Sequence, residues 1–112
     1  ALAVGSPARH ADEVHSRDDY ARAVALSPLE ERYLIAYGNQ LLNVSDLAAA
    51  AAVFARARGL DPTSAQPPAG LGETALRRGD LAAARAFYVQ AYALEPRSPA
   101  VGRLRRELED AR

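Results

Sequence analysis

Hydrophobic positions recur every three or four residues along most of this chain, and short polar breaks cut the runs at regular intervals. Tyr33, Leu34, Tyr37, Leu41 and Leu42 fall at helical spacing, and Leu47, Ala50, Val53, Phe54 and Ala57 form a second such stripe. No stretch alternates with the period of two that marks a half-buried strand. The pattern predicts an all-α chain with six helices, near residues 8–26, 28–43, 45–59, 67–78, 80–95 and 98–111.

The start and stop signals agree with the stripes. Ser27-Pro28-Leu29-Glu30 reads as a capping box with proline at the first helical position. Ser45-Asp46 supplies the N-cap of one helix and Asp80 caps another, where a side-chain oxygen can accept from the first free amides, and Gly79 is free to turn left-handed just before Asp80. Ser98-Pro99 restarts a last helix whose Val101, Leu104 and Leu108 are apolar while Arg103, Arg105, Arg106, Glu107, Glu109 and Asp110 keep the remaining surface wet. Gln66-Pro67-Pro68 predicts a short or irregular start for the fourth helix, because the residue before a proline avoids the helical region.

These elements repeat. Residues 31–64 laid over residues 65–98 match without a gap: Gly38 on Gly72, Asp46 on Asp80, Leu47 on Leu81, Ala50 on Ala84, Phe54 on Tyr88, Ala57 on Ala91, Leu60 on Leu94 and Pro62 on Pro96. Self-similarity of this length marks a stacked repeat architecture. Upstream the same offset retains Asp12, Tyr20, Ala23, Leu26 and Pro28 but loses the glycine, which leaves half a unit. The chain therefore divides into an N-terminal segment with a half repeat (1–30), two full repeats (31–64 and 65–98) and a capping helix (99–112), together one domain. The alanines and glycines at matching positions are expected where helices approach most closely, with Phe54, Tyr88 and Tyr20 filling the remaining space.

Composition narrows the function. The 112 residues carry fourteen basic and fourteen acidic side chains for a net charge of +0, so no overall field steers the chain to nucleic acid or to an acidic membrane. The absence of Cys removes disulfides, thiolate metal sites and a cysteine nucleophile. All fourteen basic residues are Arg, and alanine is abundant, a bias that suits a GC-rich bacterial genome. A start at Ala1 without Met reads as a processed or excised piece, from a cytoplasmic or a periplasmic protein. No apolar run reaches the roughly 20 residues that a membrane-spanning helix needs, so no membrane insertion is expected.

Candidate chemistry is thin. Gly70-Leu71-Gly72-Glu73-Thr74-Ala75 matches the Ala-ending dinucleotide fingerprint only formally, since prolines rather than a strand precede it. A phosphate-binding P-loop requires a Lys. His10 and His15 lie about 140° apart on a helix and cannot share a metal. His15, Asp18 and Asp19 read as a solvated face, and Asn43-Val44-Ser45 is a glycosylation sequon that matters only in a secreted eukaryotic chain. No nucleophile with a positioned base can be assembled, so neither an enzyme nor a cofactor is expected.

Leu71-Gly72, Ala75, Ala84, Tyr88, Ala91 and Pro96, matched by Tyr37-Gly38, Leu41, Ala50, Phe54, Ala57 and Pro62, resemble the tetratricopeptide repeat. The resemblance covers residues 31–98, with 12–28 as a half unit. It departs at the early large residue of the first helix, here Leu34 and Pro68, and at Ala75, where the family usually has an aromatic residue. It implies an α-solenoid of antiparallel helix pairs wound into a right-handed superhelix, whose first helices line a concave groove for a partner's peptide or helix. Groove positions carried over this way are Arg32, Ile35, Ala36, Asn39, Leu42 and Asn43, then Gln66, Ala69, Gly70, Glu73, Leu76 and Arg77, with Arg103 and Leu104 closing the far end. Family members that clamp a terminal carboxylate use a Lys and Asn set, of which only Asn39 is present here. The expected function is a protein-interaction module with a protein or peptide partner. The alternative is a structural or oligomerising segment of a bacterial cell-envelope, secretion or pilus-assembly complex.

Overall fold

The computed structural model describes residues 21, 22, 25 and 31–111. Among them are five helices and no strand: α1 (Glu31–Asn43), α2 (Leu47–Leu60), α3 (Gln66–Arg77), α4 (Leu81–Leu94) and α5 (Pro99–Asp110). The expected helix over 8–26, the Ser27–Glu30 capping box and the N-terminal half repeat lie outside the described residues, apart from isolated helical positions.

The turns inside the two units are the same turn. At the end of α1 the Asp46 amide donates to Leu41 O at 2.9 Å and the Ser45 amide to Leu42 O at 3.0 Å. Thirty-four residues on, the Asp80 amide donates to Ala75 O at 2.9 Å and the Gly79 amide to Leu76 O at 3.0 Å. This double bond pattern ends a helix through one left-handed residue, here Ser45 (φ 62°) and Gly79 (φ 81°). Asp46 and Asp80 then cap α2 and α4 by accepting the Ala49 and Ala83 amides at 3.4 and 3.0 Å.

The proline-rich start of α3 is regular, contrary to the sequence expectation. Ala65 is already helical, and Pro67 and Pro68 occupy the first turn, where an amide would have no intrahelical acceptor. The two amides that do need partners find them: Gln66 N–H donates to Ser64 Oγ at 3.3 Å, and Ala65 N–H to Glu95 Oε1 at 2.8 Å. Helical bonding then begins with Ala69 N–H to Ala65 O.

Packing follows the repeat. Ala50, Ala57, Ala84 and Ala91 are fully buried, as their position at helix contacts requires. One core joins Leu34, Leu41, Leu42, Phe54 and Leu71 between α1, α2 and α3. A second joins Ala65, Ala69, Ala91, Val101 and Leu104 between α3, α4 and α5. The α5 helix presents a charged outer face: the α3 positions Leu71, Gly72 and Ala75 are buried, whereas their counterparts Arg105, Arg106 and Glu109 are exposed.

Candidate functional site

The α3 helix packs against both α1 and α5, and side chains from the three helices line two adjoining cavities. The larger, about 310 Å³, is lined by Asn39, Leu42, Asn43, Glu73, Arg77, Arg103 and Glu107. The smaller, about 30 Å³, is lined by Ile35, Asn39, Gln66, Gly70, Glu73, Ala100 and Arg103. Asn39, Glu73 and Arg103 belong to both and stand between them. Glycine at 70 and alanine at 100 leave the smaller cavity open.

The charged residues are largely committed. Glu73 is 8% exposed and accepts from Arg103 Nε at 3.3 Å, which ties α3 to α5. Arg77 Nη1 donates to Leu42 O at 3.1 Å, which ties α3 to the last turn of α1, where a cation also suits the helix dipole. Glu107 is different. Burial, followed by the nearby Glu73 carboxylate, pushes its pKa above the ordinary value of 4.5 against the pull of Arg77, Arg103 and Arg106. Asn39 and Asn43 are exposed, and Asn43 Nδ2 lies 3.5 Å from Gln40 Oε1.

Of the fourteen positions assigned to the groove from sequence, Ile35, Asn39, Leu42, Asn43, Gln66, Gly70, Glu73, Arg77 and Arg103 line these cavities. Arg32, Ala36, Ala69 and Leu76 do not. Ala69 is 1% exposed and packs in the second core, so no ligand can reach it. Leu104, expected at the groove's far end, is fully buried, its Cδ2 within 2.5 Å of the place a Cβ on Gly72 would take. Arg32 stacks its guanidinium 4.9 Å from the centre of the Tyr33 ring. Arg77, read from sequence as a free fork for a ligand carboxylate, has one arm engaged with the backbone. One lining residue escaped sequence reasoning: Glu107, which reads as part of a solvated capping face.

A second concavity, about 410 Å³, opens beside the turns between units and is lined by Asp61, Thr63, Ser64, Gln66, Glu95, Ser98 and Pro99. Its carboxylates serve the fold. Asp61 Oδ1 accepts from the Thr63 hydroxyl at 2.6 Å and the Thr63 amide at 3.1 Å, bonds that hold its pKa below the ordinary value, and Glu95 caps α3. Among the described residues no cluster of three or more His, Cys, Asp or Glu is placed to hold a metal ion. No described helix is long and apolar enough to cross a membrane.

Paired antiparallel helices stacked at a constant interval, with their first helices side by side, define a helical-repeat scaffold. The family model described as Tetratricopeptide repeat matches residues 41–108, and the chain belongs to that family. Solved structures agree on the fold. The Yersinia enterocolitica type III secretion chaperone SycD, in complex with a peptide of the translocator YopD, superposes with a TM-score of 0.78 at 17% identity, over 92% of this chain and 82% of SycD. PcrH, in complex with the chaperone-binding region of PopD, gives 0.77 at 19% identity, over 92% and 80%. The first such domain of human RPAP3 gives 0.78 at 16% identity, over 92% and 81%. No curated protein matches the chain in sequence.

Proposed function

We propose that this chain is a protein-interaction module that holds a segment of a partner protein in the groove between α1, α3 and α5, and that it scaffolds rather than catalyses. One observation carries the reading: seven side chains from three helices far apart in sequence converge on a single open cavity of about 310 Å³, with polar groups above a buried Leu42. That combination suits a peptide, whose backbone needs amides and carboxylates as partners and whose side chains need room. SycD and PcrH hold peptides of other proteins on the same fold, which supports the reading.

Selection from a random peptide library displayed on phage tests it. Selected peptides should lose about fivefold or more in affinity on Asn39→Ala, a change at an exposed residue with no core contact, and should keep their affinity on Arg85→Ala, at the far side of the solenoid. The reverse pattern places binding on the outer surface and ends the groove reading. The oligomerising alternative rests on a different face, where Val89 and Tyr92 on α4 are 64% and 49% exposed. A concentration-independent monomer mass in sedimentation equilibrium would remove it.

A further inference from the structure

The groove occupies one side of the solenoid, and an apolar stripe runs along the other. Arg103 and Glu107 line the groove, whereas Arg105 and Glu109, about 200° further round α5, line a separate concavity with Leu108, Arg85 and Tyr88. Beside it stand Val89 and Tyr92, the two most exposed large hydrophobic residues among those described. The α4 helix holds a single charged residue, Arg85, and Arg85, Val89 and Tyr92 follow one another along one face at helical spacing. The first unit has no such stripe, since its matching residues are Ala51, Ala55 and Arg58.

We infer that a second copy of this chain packs its α4 antiparallel against α4 of the first, about a two-fold axis between Tyr88 and Val89, so that Val89 and Tyr92 of each copy cover the concavity beside Tyr88 and Arg85 of the other. The pairing stands whether or not the groove holds a peptide.

Self-complementarity carries it. In a two-fold contact, whatever one residue meets, its counterpart must meet in return. Residues 85 and 92 are symmetric about the same midpoint of α4 as residues 88 and 89, so one axis sets Tyr92 of the second copy on Arg85 and Val89 of the second copy on Tyr88. Arg85 and Tyr88 are the α4 wall of the concavity, and Val89 and Tyr92 are the exposed knobs. Knob and hole thus share a face, at positions that the axis exchanges. Seven residues make nearly two turns, so Arg85 and Tyr92 point within about 20° of one another.

Charge fixes the direction. The antiparallel register sets each Arg85 guanidinium against a tyrosine ring, a favourable contact made twice, and keeps the two Arg85 positions about 10 Å apart along the helices. A parallel pair would oppose Arg85 to Arg85. No partner of another chemistry is needed, because the same four residues supply both halves of the contact. One helix pair over one concavity is a small interface, of the class that associates reversibly. Both grooves stay open in the dimer, which therefore presents two binding sites to a partner that repeats its segment.

Sedimentation equilibrium of the full chain from about 5 to about 500 µM tests the pairing, with circular dichroism to show that variants at these exposed residues keep their helix content. The unaltered chain should pass from monomer to dimer within that range. Tyr92→Arg, which sets like charges together twice, should weaken the dimer by about tenfold or more, and adding Arg85→Glu should restore it to within about threefold. Because the chain has no Cys, Val89→Cys gives a single thiol beside the axis that should cross-link the dimer on oxidation, while Ala52→Cys on α2 should not. A monomer throughout, a dimer indifferent to Tyr92→Arg, a double variant that stays monomeric, or cross-linking at position 52 in place of 89 overturns the inference. None of these results bears on the groove, whose peptides are read at Asn39.

Discussion

Phe54 and Gly70, from successive repeats, meet with no room for a β-carbon between them. A Cβ built on Gly70 would stand 2.5 Å from Phe54 Cε1, and one on Gly38 would stand 2.6 Å from the same atom. The ring of α2 is thus clamped between α1 and α3, and the distance between those helices, which is the width of the groove floor, depends on two missing side chains. Gly70→Ala should cost about 1–3 kcal/mol, because a buried ring cannot swing aside as a flexible chain end would. Gly59→Ala, on α2 with nothing within 4 Å of the added methyl, should stabilise by about 0.5–1 kcal/mol. Chemical denaturation of the two variants checks the contrast.

The close-contact alanines extend the same argument. Ala84 is fully buried and Ala82, two residues earlier on α4, is exposed. Ala84→Leu should destabilise by about 1–3 kcal/mol and Ala82→Leu by little. Equal melting shifts would mean that the helix faces are assigned wrongly.

Ser45 and Gly79 make the same left-handed turn with different residues. A side chain in that region costs about 1–2 kcal/mol, so Ser45→Gly should stabilise by about 1 kcal/mol and Gly79→Ala should destabilise by a similar amount. Thermal melts of the pair, read against the unaltered chain, give both signs in one experiment.

Glu107 sets a pH dependence. In the folded chain it holds its proton to a higher pH than in the unfolded chain, so the native state binds more protons in the window that opens near 4.5, and stability falls as pH rises through that window. The melting temperature of the unaltered chain relative to Glu107→Gln should therefore decline from below pH 4.5 upward and then level. A relative rise over the same range would contradict the burial of this carboxylate.

The repeat, the helix faces and the caps at Asp46, Asp80 and Ser98 were legible in the sequence, because each depends on local spacing or on a self-match that the chain displays openly. What was not legible depends on contacts between units. Glu95 looks like an ordinary helix end, yet its carboxylate crosses thirty residues to cap Ala65 and makes the proline-rich start of α3 regular. Glu73 is buried only because Arg103 arrives from α5 to pair with it, in an ion pair whose arginine side stays half exposed. Ala69 was placed in the groove by its position in the unit, but α5 covers it. Ser45 gave no sign of a left-handed turn, since its partner position shows the glycine that the conformation prefers and it does not.

The claim that a peptide lies against α1, α3 and α5 is tested most directly by amide shift mapping of the isotopically labelled chain during titration with a library-selected octapeptide. The groove account predicts that the largest changes fall at Asn39, Asn43, Arg103 and Glu107, with Arg85, Tyr88 and Val89 on α4 unmoved. Changes concentrated on α4, with the groove residues silent, would contradict it.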